Sequence, residues 1–359
     1  MRTIYNCHAH IFTNQCVPEQ FLPFGLIRFL SQQKFSQKLG RLLNRLNPRS
    51  NDDIFDRYAA FMNIGNYQSQ QEIFNLLSGF YPQTTKYVLL SVDFDFMDAG
   101  KSPKSLLSQI EELAELKKDE HYRERIYPFI CVDPRRKNIG DLVKEYIEEH
   151  HFAGIKMYPP LGFYPFDRGL DEVYEYAQSN KIPIISHCSK GGIKTHAKMS
   201  KQIKSHPKTG VEFKNEDEVK LSFAHPDNYR YVLDRYPDVK IDLAHLGGGP
   251  EVKNYLVTPW YEETEKSWFS AIIDLIRESN NIFSDVSYTM HEYELLPVLS
   301  VILSDPKVRT RILYGSDFYM VEMDKSERAF SMNLRSYIGE DNFWQIAETN
   351  PEEFLNITA

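Results

Sequence analysis

This sequence has few cysteines, no long apolar run and no excess of basic residues. Its four cysteines form no CxxC pair in 359 residues, which excludes a disulfide framework and a cysteine-rich zinc module. Apolar stretches such as 21–27 fall far short of the roughly 18–20 residues that a membrane span needs. Lys and Arg total 42 against 50 Asp and Glu, so no global positive field attracts nucleic acid. We expect a cytoplasmic protein without a targeting segment.

Hydrophobic residues make up 42% of the chain and aromatic residues 13%, which is enough to fill a large core. Short apolar or β-branched runs alternate with amphipathic segments, a pattern typical of parallel strands joined by helices. Eight strands are predicted, at 3–9, 87–94, 126–132, 154–158, 182–187, 239–244, 282–286 and 312–316. Eight such repeats predict an α/β protein with one (β/α)8 TIM barrel domain spanning 1–359.

Two segments exceed the minimal repeat, and because both follow strands they are expected over the C-terminal face of the barrel. The first insertion, about 11–85, is predicted to be helical. It contains a basic stretch at 21–49, which would cap the barrel or, alternatively, form a membrane-surface helix. The second insertion, 189–223, has six lysines before its first acid, Glu212. In an acidic protein this basic insertion favours an anionic substrate, although a solvated loop has the same composition.

Four histidines and one aspartate lie at the ends of predicted strands. His8 and His10 end the first strand, and residues two apart on a strand point to the same face, so Cys7 and Ala9 should face the helices. The other members end the fifth, sixth and eighth strands: His187, His245 and Asp317. Imidazole and carboxylate groups bind zinc and similar divalent ions, and a catalytic site keeps one position open. One such histidine alone fits a structural role, but five groups at one rim predict a metal centre.

Four further side chains are candidate substrate contacts. Lys156 lies inside the apolar fourth strand, where an ammonium group is costly unless it is paired, lies at the rim or is modified. Arg135, Tyr158 and Lys190 follow the third, fourth and fifth strands. Arg135 or Lys190 could hold a carboxylate. A structural or solvated role is the alternative for each of these loop residues.

The set His8-x-His10, Lys156, His187, His245 and Asp317 resembles the metal site of the amidohydrolase superfamily. Four short sequence segments are similar to those of its amidohydrolase-2 branch: AGIKMYPP at 153–160, IISHC at 184–188, LAHLGG at 243–248 and LYGSD at 313–317. That branch contains relatives of aminocarboxymuconate-semialdehyde decarboxylase and of pyrone-dicarboxylate lactonase, so its motifs specify a metal site better than a reaction. The likeness covers the chain except for the two insertions.

The resemblance implies that His8, His10, His187 and Asp317 bind one divalent metal, with Zn2+ the expected ion, and that His245 is an acid or base. The metal would lower the pKa of water toward about 7, Asp317 would accept its proton, and His245 would orient it. In a binuclear alternative a carboxylated Lys156 bridges two ions, with strand-five and strand-six histidines on the second. One ion is favoured because branch members commonly use one, which leaves Lys156 to contact substrate.

These features predict a metal-dependent hydrolase that cleaves a C–N or C–O bond of a small, anionic substrate. A metal-dependent decarboxylase with the same ligands is the alternative reading. A non-catalytic anion-binding barrel is disfavoured, because clustered polar groups are expensive to keep without a metal or chemistry. Dimers are common in the branch, so the resemblance also allows a homodimer.

Overall fold

The computed structural model describes residues 2–21, 54–258 and 266–357. The basic stretch predicted at 21–49 therefore lies outside the described residues, apart from Phe21. No helix of the described part is long and apolar enough to cross a membrane.

Eight strands form one parallel sheet in which each strand pairs with the next along the chain. They are β1 (Tyr5–Ala9), β2 (Lys86–Leu90), β3 (Ile126–Val132), β4 (Gly154–Met157), β5 (Ile184–Ser189), β6 (Ile241–Gly247), β7 (Ile282–Asp285) and β8 (Ile312–Leu313). The sheet closes because the amide of Cys7 donates to the carbonyl of Tyr314, and that of Asp317 to His8, each at 2.8 Å. The predicted (β/α)8 barrel is confirmed.

Helices surround the strands and carry apolar stripes toward them. For example, Ser105 caps the helix 106–118, and its buried face includes Ile110 and Leu113. The helices are α1 (Ile54–Gly65), α2 (Gln70–Ser78), α3 (Leu106–Lys118), α4 (Ile139–Glu148), α5 (Asp171–Asn180), α6 (Glu216–Ser222), α7 (Asn228–Leu233), α8 (Gly249–Val257), α9 (Trp268–Glu278), α10 (Leu296–Ile302), α11 (Pro306–Arg309), α12 (Phe318–Asp324), α13 (Glu327–Ile338), α14 (Glu340–Trp344) and α15 (Asn350–Phe354).

The two insertions differ in structure. In the described part of the first, α1 and α2 are helical, as predicted, and the ring centroid of Phe61 on α1 lies 5.0 Å from that of Tyr319 on α12. The second insertion is largely irregular, with one bridge between Ser205 and Glu212 before α6. It is nevertheless joined to the barrel, because β5 continues to Ser189, two residues beyond its predicted end.

One detail of β1 departs from simple alternation. Between Asn6 and Ala9 the pairing with β2 slips by one residue, which marks a β-bulge. Cys7 therefore packs with residues from the interior faces of the other strands, including Phe283 and Leu313, whereas Ala9 packs toward the helices. The expectation that Cys7 faces the helices is wrong, because the bulge turns both Cys7 and His8 into the barrel.

Candidate active site

The bulged end of β1 delivers two histidines to the mouth of the barrel. The Nδ1 atom of His8 lies 2.7 Å from Oδ2 of Asp285 on β7, and its Nε2 atom is buried with no partner in the described structure. The Nδ1 atom of His10 donates to the carbonyl of Leu90 at 2.9 Å, since a carbonyl only accepts. Each imidazole is held through Nδ1, which leaves Nε2 to bind a ligand.

Asp317 joins these two histidines from the end of β8, which lies next to β1 where the barrel closes. It precedes α12 in a left-handed conformation, with φ of 56°. The hydrogen bond from its backbone amide to the carbonyl of His8 fixes this turn against β1. Such a backbone costs free energy in a non-glycine residue and is common at functional sites. One ligand atom from each of His8, His10 and Asp317 lies within 4.8 Å of the others. The structure therefore brings three of the four predicted metal ligands together.

The protonation states of this cluster suit a metal ligand set. Burial, with the nearby Lys156, lowers the pKa of His8 to about 3, so its imidazole is neutral. Burial opposes ionisation of Asp285, but its interactions with His8 outweigh that effect and hold its pKa well below the ordinary value. Burial raises the pKa of Asp317 to about 7. A neutral histidine that donates one N–H to a carboxylate and offers its other nitrogen is the usual state of a histidine ligand.

His187, the fourth predicted ligand, lies beside His245 and outside the cluster of His8, His10 and Asp317. Its Nε2 atom donates to the carbonyl of Gly191 at 3.0 Å, and its Nδ1 atom lies 3.1 Å from Nε2 of His245. The ring also stacks on Tyr158, with centroids 4.5 Å apart. To bind a metal, His187 would have to release one of these two hydrogen bonds, so its role as a ligand stays a prediction.

The sequence reasoning missed two residues that hold the histidines in place. The Oδ1 atom of Asp285 accepts the backbone amides of His245 at 3.0 Å and of Ser287 at 3.1 Å, and it also accepts the hydroxyl of Ser287. That hydroxyl lies 2.9 Å from Nδ1 of His245. Asp285 thus connects His8 with His245. The signal that could have found it is a carboxylate inside an apolar predicted strand, the same signal that singled out Lys156.

Lys156 lies below the cavity and is absent from the residues that line it in the described structure. Its Nζ atom is buried without a hydrogen-bond partner, and so are both carboxylate oxygens of Asp242 on β6. Burial lowers the pKa of this lysine, although Asp285, Asp317 and Asp242 each act to raise it. The lysine is therefore a buried amine surrounded by acids, near the metal ligands and away from the cavity wall.

A cavity of about 910 Å³ opens above the histidines. Tyr158 and Lys190 line it, as expected of substrate contacts, but Lys190 is paired with Glu251 at 2.7 Å. Arg135 is absent from the described lining residues, because Asp133 binds its guanidinium, with Nε to Oδ1 at 2.8 Å. The cavity therefore contains two of the four predicted contacts.

Aromatic rings form one wall of this cavity. Phe12 and Tyr319 stack with centroids 5.1 Å apart and an interplanar angle of 12°, and Phe61 packs against both. Flat apolar walls of this kind bind the body of a small molecule, while a few polar groups fix its orientation. The cavity thus places an aromatic surface beside His10 and Asp317.

Solved structures share this architecture along their whole length. The chain is 11% identical to 5-carboxyvanillate decarboxylase LigW from Sphingomonas paucimobilis, with 100% of both chains covered and a TM-score of 0.56. It is 14% identical to 2,6-dihydroxybenzoate decarboxylase from Rhizobium, with 99% of both covered and a TM-score of 0.54. It is 12% identical to 5-carboxyvanillate decarboxylase from Novosphingobium aromaticivorans complexed with manganese and 4-hydroxy-3-methoxy-5-nitrobenzoic acid, with 99% and 96% covered and a TM-score of 0.58.

Identities this low show a common fold and leave the reaction open. A search of curated proteins found no match. The family model for amidohydrolases matches residues 87–357, which is most of the chain and includes β2 to β8. The family is metal-dependent, and the cluster of His8, His10 and Asp317 provides a candidate metal site. The chain therefore belongs to the amidohydrolase superfamily, in its amidohydrolase-2 branch.

Proposed function

We propose that this enzyme hydrolyses a C–N or C–O bond of a small anionic substrate with one divalent metal. The observation that carries the proposal is the convergence of His8, His10 and Asp317 beneath an open cavity, with Nε2 of His8 buried and unpartnered. These three residues, with His187, would hold the ion, and Zn2+ suits three imidazoles and a carboxylate. A bound ion of this kind supplies Lewis acidity and lowers the pKa of water toward about 7.

The protein groups around the cavity fit the proton transfers that hydrolysis needs. Asp317 has two carboxylate oxygens at the cavity floor, so one can bind the ion while the other accepts a proton from the attacking water. His245 also lines the cavity, and its hydrogen bonds to His187 and Ser287 fix its ring. Its position suits orienting the water or donating to the oxyanion that forms as water adds.

A second candidate reaction, decarboxylation, is favoured by the aromatic wall of the cavity. Phe12, Phe61 and Tyr319 line the cavity beside the metal ligands, and several solved neighbours of the same fold act on aromatic carboxylic acids by name. In that reaction the C–C bond to the carboxylate breaks and its electron pair stays on the ring carbon. His245 or Asp317 would then supply the proton to that carbon.

Product analysis distinguishes the two reactions. We would load the purified chain with Zn2+ or Mn2+ and incubate it with aryl amides, lactones and aryl carboxylates in H2(18)O. Hydrolysis predicts one 18O atom in a product carboxylate, whereas decarboxylation predicts release of CO2 and a product shorter by one carbon. Asp317→Asn should abolish either activity, and Asp238→Asn, at an exposed position, should preserve it. No turnover by a metal-loaded chain across the panel would count against both reactions.

Elemental analysis tests the number of ions. About one equivalent per chain, lost in Asp317→Asn and kept in Lys156→Ala, is the result expected of a single ion. Two equivalents that fall when Lys156 is replaced would instead indicate a carboxylated lysine between two ions. Lys156→Met is a matched variant that keeps most of the side-chain volume in this buried position, so a loss seen only with alanine would reflect packing.

A further inference from the structure

Three lysines of the second insertion line the same cavity as the histidines, and one of them, Lys190, is paired with Glu251. Lys194 and Lys220 form part of its wall, together with His10, His187 and Asp317 at the ends of the strands. A cavity of about 910 Å³ is at the upper end of the size that holds a drug-sized ligand, and it far exceeds what one carboxylate occupies. A substrate that fills it therefore reaches from the metal ligands to these lysines.

The backbone next to Lys194 is fixed against the barrel, although the insertion has little secondary structure. The amide of Ile193 donates to the hydroxyl of Tyr158 at 3.1 Å, and that of Thr195 donates to the carbonyl of Pro160 at 2.9 Å. Thr195 itself is buried, and its hydroxyl donates to the carbonyl of Met97 at 3.2 Å. Lys194 is thus held beside the cavity by its neighbours, unlike a lysine on a freely solvated loop.

The charges of these lysines are poorly compensated within the described structure. Only 15% of the Lys220 side chain is exposed, and its Nζ atom lies 3.7 Å from Oε1 of Glu216. That carboxylate already accepts the backbone amides of Met199 at 2.7 Å and of Ser200 at 2.9 Å. Burial and the charge of Lys220 both lower the pKa of Lys194, while Asp217 raises it. Two ammonium groups therefore repel each other at one end of the cavity.

Among the described residues that line the cavity, two further charged side chains are paired and one acid is exposed. Lys190 forms its ion pair with Glu251, and Glu292 is bound by Lys253. Asp217 lines the cavity but is exposed, so solvent screens its charge. His196, which also lines the cavity, has its pKa lowered by burial and by Lys220. An anion placed here would relieve the repulsion between the two lysines.

We infer that Lys194 and Lys220 form a second anion-binding subsite at the cavity mouth, and that the substrate is a dianion. One anionic group lies at the histidine centre, the aromatic wall holds the body of the molecule, and the lysines bind the second anionic group. This inference rests on the proposed function for the first group and goes beyond it by assigning the second.

Equilibrium binding tests the inference without turnover. Isothermal titration calorimetry on the Zn2+-loaded full chain would compare isophthalate and terephthalate with benzoate, and biphenyl-4,4′-dicarboxylate with biphenyl-4-carboxylate. We expect at least one dicarboxylate to bind about tenfold more tightly than its monocarboxylate, the gain of a hydrogen-bonded charged contact. The double variant Lys194→Gln, Lys220→Gln should remove this advantage and leave the monocarboxylate affinity within about twofold.

Lys204→Gln is the matched control, because this lysine belongs to the same insertion but is exposed and absent from the described cavity lining. It should keep the full dicarboxylate advantage. The inference is overturned if no pair shows the advantage in the wild-type chain, or if the advantage persists in the double variant. A chain that shows the lysine-dependent preference but neither hydrolysis nor decarboxylation would overturn the proposed function alone.

Discussion

The floor of the cavity and its mouth treat charge in opposite ways. Directly beneath the floor, His8 and Asp285 are fully buried, and hydrogen bonds hold each of them in one orientation. At the mouth, the lysines are partly exposed, and the acid nearest to Lys220 is engaged with backbone amides. A fixed floor suits chemistry that needs exact geometry, whereas a mouth with unsatisfied charge suits recognition of a variable substrate. Substitutions in the two regions should therefore reduce metal binding, activity or stability by different amounts.

The largest loss of bound metal and of activity is expected at the floor, in the double variant His8→Ala, His10→Ala. Removing two of the ligands should reduce bound metal from about one equivalent to below about 0.1, and activity by about 1,000-fold or more. Elemental analysis and steady-state kinetics provide the measurement. His121→Ala is the control, because 87% of that side chain is exposed. If the double variant retained a full equivalent, the metal would have to bind elsewhere.

A buried acid behind β8, outside the cavity, tests the buried side of the comparison. Glu327 is fully buried, its Oε1 accepts the hydroxyl of Tyr81 at 2.6 Å, and its Oε2 has no partner in the described structure. Burial raises its pKa from the ordinary 4.5 to about 7. The folded state therefore binds this proton more tightly than the unfolded state. The resulting stability is complete below pH 4.5 and is lost as pH rises through 7.

Glu327→Gln should remove this pH dependence. Between pH 4.5 and 8 the free energy of unfolding of the wild type should fall relative to the variant by up to about 3 kcal/mol, since one pKa unit corresponds to about 1.4 kcal/mol. Urea denaturation at several pH values measures the difference. Glu111→Gln, at an exposed position on α3, should run parallel to the wild type. Parallel curves for Glu327→Gln as well would show that this carboxylate titrates normally.

The variant Asp285→Asn tests the role of the residue that orients His8, as distinct from the role of the metal ligand His8 itself. The amide has one accepting oxygen instead of two, so it cannot accept both from His8 and from the backbone amides of His245 and Ser287. We therefore expect about a 10- to 100-fold loss of metal affinity, with the metal ligands themselves retained. Competition with a chelator measures that affinity, and excess metal should restore activity. Asp234→Asn, an exposed change of the same kind, should have no effect. An unchanged affinity in Asp285→Asn would confine Asp285 to a structural role.

Strand order made the floor predictable. Because β-strands alternate their side chains and parallel strands end at one rim, the positions of His8, His10, His245 and Asp317 followed from short local patterns. The bulge in β1 did not follow, since no residue type marks it, and it reversed the prediction for Cys7. The hydrogen bonds that draw His187 toward His245 depend on the course of the loop after β5, which the sequence pattern does not encode.

The lysine content of the mouth could be predicted from the sequence, but the ion pairs of its charged side chains could not. A run of lysines identified the second insertion, but only the fold shows that Lys190 pairs with Glu251 of α8. Lys194 lines the cavity and has no such close ion pair with any residue that the structure describes. Likewise, the sequence predicted that Arg135 could bind a substrate carboxylate. Its guanidinium instead donates to the carboxylate of Asp133, two residues earlier in the chain. The pair of Lys190 and Glu251 depends on a tertiary contact and that of Arg135 and Asp133 on the course of one loop, so neither can be read from charge counts.

The smallest loss, in the free energy of unfolding, is expected from Lys190→Gln at the mouth. Its ammonium group lies 2.7 Å from Oε1 of Glu251, but 43% of the lysine side chain is exposed, so solvent screens the pair. Glu251 also keeps its hydrogen bond from the amide of Trp268 at 2.8 Å, which limits the cost. We expect a loss of about 1 kcal/mol in the free energy of unfolding, and less in 1 M NaCl. Urea denaturation at both salt concentrations measures it, with Lys204→Gln as control. A loss of several kcal/mol that salt did not reduce would show that this pair is as well shielded as that of His8 and Asp285, and the contrast between floor and mouth would not hold there.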